Sequence, residues 1–211
     1  KVKGINTGNI YVAKISTIIV NKQSRNELIH LSREVNIISQ INHPSFLNFI
    51  GYSPIDFKHK SRPVIVTEFC DINLHSHIFS NLFVDDINWN DTRKLINIYG
   101  IAFGMAYLHS HDIIHRDLKS SNIYLDEKLF PKIAGFDIAK EIADNSFEEN
   151  NKIKGTPLFL APEVYLHKKY SKSSDVYSFS LIMYEILMEN EIFFELDSKI
   201  VSPSEIKEEV A

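Results

Sequence analysis

The sequence predicts an α+β chain in two parts: a small β-rich part over residues 1–70 and a mainly helical part over residues 71–211. Two observations predict it. Up to Phe69 the apolar residues fall in short runs separated by turn residues, interrupted by one stretch of helical spacing. From Ile87 onward they recur every three or four residues over long stretches. A length of 211 residues suits one large domain or two small lobes and allows a sizeable core.

Taken in order, Asn6-Thr7-Gly8-Asn9 is a turn signal between two apolar runs, so Val2 to Ile15 reads as a hairpin. Leu28, Leu31, Val35 and Ile38 place one apolar face on a helix from Ser24 to Gln40, which His43-Pro44 stops. Phe46 to Tyr52 and Val64 to Phe69 read as strands. The second is almost wholly apolar, which suits a central position. Leu95, Ile98, Tyr99, Ala102, Phe103 and Ala106 predict a helix from Asp91 to His109. Val176, Phe179, Met183 and Ile186 mark another, buried helix. Ser202-Pro203-Ser204-Glu205 has the form of a helix start with a capping box.

Composition narrows the function classes. The chain is 44% hydrophobic and 24% charged, ordinary for a globular protein. Its net charge of -4 supplies no basic field for nucleic acid. Cys70, the one cysteine, has no partner for a disulfide or a zinc site, which suits a reducing compartment, with the cytoplasm as the default expectation. No apolar run approaches membrane-spanning length.

The strongest chemical signal is His115-Arg116-Asp117-Leu118-Lys119-Ser120-Ser121-Asn122, placed between a predicted helix and the short apolar run Ile123 to Leu125. It resembles the catalytic loop of eukaryotic protein kinases. Tyr11-Val12-Ala13-Lys14 closes a strand, with Arg33-Glu34 on the following helix. Further on, Gly155-Thr156-Pro157, Ala161-Pro162-Glu163 and Asp175-Val176-Tyr177-Ser178-Phe179 follow in kinase order. The resemblance spans essentially the whole chain. Its wording is most similar to the tyrosine-kinase-like group, and Lys119 with Thr156 favours Ser/Thr specificity.

That resemblance implies a bilobal fold, with residues 1–70 as an N-lobe lacking its Gly-rich loop and 71–211 as a C-lobe lacking its last helices. It implies ATP and Mg2+ as cofactors, and a protein substrate or a partner kinase. Asp117 would accept the substrate hydroxyl proton, Lys119 would sit beside the transferred phosphate, and Asn122 would hold a metal ion. Lys14 would bind the nucleotide phosphates, held in place by Glu34. Val12, Thr67 as gatekeeper, Glu68 and Cys70 in the hinge, and Tyr124 would line the nucleotide site. Val12 and Tyr124 are larger than the residues usual there and narrow it. Cys70 also fits a plain half-buried hydrophobe. Arg116, Ser146, Thr156 and Glu163 would belong to the activation-loop machinery, with Glu148 and Glu149 as possible stand-ins for phosphate and Glu163 short of its usual arginine. Ile38, Phe49, His115 and Phe136 would form the internal stack, and Asp175 would tie down the catalytic loop.

One departure bears on activity. Where the family has Asp-Phe-Gly, this chain has Gly135-Phe136-Asp137. Gly135 offers no metal ligand, and Asp137 lies two residues on, about 6 to 7 Å along extended chain, against a magnesium bond of about 2.1 Å. Asp137 substitutes only if the backbone reorganises, which a glycine permits. The loss predicts a drop of roughly a thousandfold in transfer if nothing compensates. The alternative is a pseudokinase: a nucleotide-binding, scaffolding or regulatory module.

Overall fold

The computed structural model describes residues 1–17, 25–80, 88–143 and 153–192. The expectations for Ser146, Glu148, Glu149 and the 202–205 helix start lie outside these residues. The chain begins with strand β1 (Val2–Lys3), β2 (Ile10–Ile15), helix α1 (Arg25–Gln40), β3 (Phe49–Ser53) and β4 (Val64–Glu68). The four strands form an antiparallel sheet in the order β1-β2-β4-β3, so the apolar β4 is central. Its Val64 and Ile65 are buried, as a strand covered on both faces requires.

Beyond the sheet come β5 (Ile72–Asn73), α2 (Leu74–Phe79), α3 (Asp91–Ser110), β6 (Ile113–Ile114), β7 (Ile123–Leu125), β8 (Pro131–Ile133), β9 (Lys140–Glu141), α4 (Pro162–His167) and α5 (Lys172–Met188). β5, β7 and β8 form one small antiparallel sheet and β6 pairs with β9 in another. Side chains cap the helix starts. Asn73 accepts from the Ser76 amide for α2, Asn90 from the Arg93 amide for α3, and Ser171 shares a reciprocal capping box with Ser174 for α5.

Two helix faces differ from the sequence expectation. In α3 the buried residues are Asn97, Ile101, Gly104, Met105 and Leu108, whereas Leu95, Tyr99 and Phe103 are exposed. Gly104 is the reason. A Cβ there would meet Ile133 Cδ1 at 2.7 Å and Ser45 Cβ at 2.9 Å, so the helix packs closest where it has no side chain. In α5, Val176 is exposed. The buried face runs through Ser174, Asp175, Ser178, Ile182, Glu185 and Ile186, four of the six polar or charged. That polar face lies toward the loop between β6 and β7. One core joins α1, α3, α5 and the small sheet through Ile37, Phe46, Ile101, Leu108, Ile133, Phe136 and Ile182.

Candidate active site

The 115–122 loop is fixed at several points. Asp175, on the buried face of α5, accepts hydrogen bonds from the backbone amides of His115 at 2.8 Å and Arg116 at 2.9 Å, and from His109 Nε2 at 2.9 Å. His115 is fully buried. Its Nε2 donates to the Ala134 carbonyl (2.9 Å), while its Nδ1 accepts from the Asp117 amide (3.3 Å). Both nitrogens are used in the neutral tautomer, and burial holds the pKa below the usual histidine value. Arg116 has a positive φ of 72° and stacks its guanidinium 4.1 Å from the Tyr170 ring centroid.

This anchoring presents the Asp117 carboxylate to three partners. Thr156 Oγ1 donates to Asp117 Oδ1 at 2.7 Å, Asn122 Nδ2 donates to Oδ2 at 3.0 Å, and Lys119 Nζ lies 3.1 Å from Oδ2. Lys119 also donates to Thr156 Oγ1 at 2.6 Å. The four side chains form one network, with a base, a cation and a hydroxyl within hydrogen-bonding reach of one another.

On the opposite side, β2 and α1 bring Lys14 and Glu34 together at 2.8 Å. Lys14 also pairs with the Asp137 carboxylate. Burial is the largest influence on Lys14 and pulls its pKa down, but Glu34 and Asp137 together outweigh it and leave it above the ordinary lysine value. Burial lifts Glu34 above the usual glutamate range, Lys14 opposes this, and Asp137 adds to it. The lysine and Asp137 side chains are 51% and 57% exposed, so their attraction is worth about 1 kcal/mol or less.

Asp137 reaches Lys14 because Gly135 turns the chain. Gly135 has φ 86° and ψ 47°, the left-handed region, and opens the short 3-10 turn Phe136–Ile138. A Cβ at Gly135 would meet Asn122 Nδ2 at 2.5 Å, so Asn122 occupies the space beside it. The ring contacts of Phe136 are with His115 (5.1 Å between centroids) and Phe46 (5.8 Å). Phe46 takes the position expected for Phe49, which is half-buried and faces Thr67 across the sheet. The cause is backbone pairing: Ile133 exchanges hydrogen bonds with Ser45 and Leu47, which carries Phe46 alongside Phe136. Ile38 packs against the same core.

The remaining predicted residues line up along the strands. Val12 and Thr67 are directly paired between β2 and β4. Glu68 accepts from the Asn48 amide at 2.9 Å, and Tyr124 pairs with Asn73 and Lys132 in the small sheet. Cys70 is half-buried, and burial pushes its thiol pKa to about 11, so it is not a reactive thiolate. Glu163 lies in the first turn of α4.

A magnesium pair requires several oxygen ligands converging on one region. Asn122 contributes one amide oxygen, Gly135 contributes none and Asp137 is engaged by Lys14. Among the described residues, no group of three or more His, Cys, Asp or Glu side chains is placed to hold a metal ion. The donor set as placed does not fit a paired-magnesium site.

The sequence pattern of the protein kinase domain matches residues 1–210. This chain belongs to the protein kinase family. Protein kinase domains use ATP and Mg2+ and act on proteins. Among similar proteins, a putative serine/threonine-protein kinase/receptor of Acanthamoeba polyphaga mimivirus is 34% identical over 190 residues, covering 89% of this chain and 11% of the relative. A probable LRR receptor-like serine/threonine-protein kinase of Arabidopsis thaliana is 33% identical over 165 residues, covering 75% of this chain and 26% of the relative. The chain therefore spans a small part of the curated relatives it matches. In fold it is similar to the yeast RNA Pol II CTD kinase CTDK-1 complex, with a TM-score of 0.77 at 21% identity, over 98% of this chain and 62% of that one. No helix among the described residues is long and apolar enough to cross a membrane.

Proposed function

We propose that this kinase domain, of the tyrosine-kinase-like group, transfers phosphate from ATP to protein serine or threonine, at a rate lowered by the missing carboxylate at Gly135. The observation that carries the reading is the network around Asp117: Thr156, Asn122 and Lys119 hold its carboxylate in the place of a general base. Asp117 accepts the proton of the incoming hydroxyl. Lys119 offsets the negative charge of the group in transfer, and Thr156 keeps base and cation in register. Lys14, steadied by Glu34, receives the nucleotide phosphates. Glu68 and Cys70 meet the adenine edge, with Val12, Thr67 and Tyr124 narrowing the space around it. Asp137, paired with Lys14, is the carboxylate that the Gly135 turn brings to the phosphate side. No step of this account runs through a metal ion.

A second reading is a pseudokinase that binds nucleotide and regulates a partner kinase. Gly135 and the side chain of Asn122 beside it favour this reading, because they leave the metal donor set short.

The experiment is transfer from labelled ATP to a generic Ser/Thr protein, with Asp117→Ala and Asp137→Asn as comparisons. Slow transfer that vanishes in Asp117→Ala and falls further in Asp137→Asn supports catalysis. A folded protein with no transfer above the Asp117→Ala background leaves the non-catalytic module.

A further inference from the structure

Helix α5 meets the catalytic loop at two places, and only the first has a role so far. Near its N-terminus Asp175 holds the amides of His115 and Arg116. Ten residues on, about 15 Å along the helix axis, Glu185 turns toward the same loop. It is 4% exposed and its hydrogen-bonding neighbour is Ser120, itself 1% exposed. Ser120 opens the 3-10 turn Ser120–Asn122, flanked by Lys119 and carrying Asn122. Asn122 donates from Nδ2 to the Asp117 carbonyl at 2.8 Å and to its carboxylate. A displacement of Ser120 therefore passes to the catalytic base through two bonded neighbours.

A carboxyl group beneath a loop is an expensive filler, since an apolar side chain of that size would pack without a polar cost. Its Oε2 is buried and, among the described residues, has no hydrogen-bond partner.

We propose that Glu185 is a positioning residue of the kinase reaction: acting through Ser120, it supports the Ser120–Asn122 turn from below and so sets Lys119 and Asn122 against Asp117. Being buried, it acts through Ser120 rather than from the open surface of the site. Burial is the main cause that lifts its pKa to about 7; Ser120 opposes the rise and Glu191 adds to it. Several basic groups on the elements around α5 are engaged elsewhere: Arg93 of α3 lies over the Phe130 ring. Lys94 of α3 pairs with Glu189, His109 of α3 with Asp175, and Lys119 with Asp117. No cation is among the influences on Glu185, so burial dominates and ionisation drives it from the loop. The support weakens as pH rises from the ordinary glutamate value of 4.5 toward about 7 and is weakest above that.

The inference rests on the catalytic reading of the loop only for its effect on transfer, so the test has a second readout. Backbone hydrogen exchange across residues 115–122 is followed from pH 6 to 8 in the wild type, Glu185→Gln, Glu185→Ala and Ser120→Ala, corrected for intrinsic exchange. Phosphotransfer is followed alongside. In the wild type, loop protection should fall by about three- to tenfold across this range, with protection in α3 unchanged. Glu185→Gln, which keeps the shape of the protonated acid, should hold it flat, and Ser120→Ala should lose it at every pH. The same pH profile in Glu185→Gln as in the wild type would overturn the proposal. So would a Glu185→Ala variant that loses protection evenly over the whole chain, since that is a packing role. If transfer is absent from every variant while the exchange pattern holds, the catalytic reading fails and the positioning of the loop stands.

Discussion

The two sides of the candidate site are built differently. The catalytic loop is held from beneath by the buried Asp175, with His115 donating to Ala134 and Thr156 closing over Asp117. The phosphate side rests on a half-exposed lysine shared by two carboxylates, one of them from a turn that only a left-handed Gly135 allows. Buried amide-to-carboxylate bonds are strong and costly to break, whereas exposed ion pairs contribute little. On the proposed reading, the base side is set before any ligand arrives, and the phosphate side exchanges an internal carboxylate for an external anion. The retained chemistry lies where the packing is rigid, and the altered chemistry lies where it is loose.

The largest expected effect breaks the rigid side at its centre. Asp117→Ala should lower transfer by about 10²- to 10⁴-fold, the usual contribution of a general base, with a cooperative melt showing that the variant is still folded. Equal transfer in the variant and the wild type would remove Asp117 from the reaction. Next comes the anchor. Asp175→Ala leaves two buried amides without their acceptor and should cost about 3 kcal/mol of unfolding free energy, read from a denaturant midpoint at unchanged slope. A cost under about 0.5 kcal/mol would mean the loop holds its shape without α5.

These contrasts also explain what was legible in the sequence. The 115–122 loop, the Lys14–Glu34 pair, Thr156 and Asp175 were readable because each is a fixed chemical identity at a fixed spacing, and the fold brings them together. The α3 face was not readable from apolar spacing. Its closest contact is through Gly104, and the large side chains Leu95, Tyr99 and Phe103 point away. Glu185 escaped for the opposite reason, since a glutamate in a helix reads as a surface residue until its neighbours are known. Phe46 and Phe49 are equally apolar, and only the pairing of residues 45 to 47 with Ile133 selects between them.

The phosphate side is sharpened by putting back the missing carboxylate. Gly135→Asp looks like a repair on paper. In this backbone its Cβ meets Asn122, and the left-handed φ of 86° is strained for any residue with a side chain. The variant should therefore lose about 1 to 3 kcal/mol of stability and recover transfer only in part, because Asn122 must give up its bonds to Asp117 to make room. Full recovery of transfer at unchanged stability would show that the turn relaxes freely and that Gly135 alone limits the rate.

The smallest effect concerns the join between the loop and the segment that follows. Arg116 stacks on Tyr170, whose hydroxyl donates to the Lys154 carbonyl at 2.6 Å and accepts from the Lys154 amide at 2.7 Å. Tyr170→Phe keeps the ring and removes both hydrogen bonds, whereas Tyr170→Leu removes the cation–π contact as well. The first should cost about 1 kcal/mol and the second up to about 1 kcal/mol more, measured by thermal or denaturant unfolding. If the two variants are equally stable, the ring face contributes nothing to Arg116, and Tyr170 serves only to pin the backbone at Lys154. If Tyr170→Leu alone loses stability, the arginine is held by the aromatic face, and the loop's strained φ of 72° at Arg116 is supported from the activation-segment side as well as from α5.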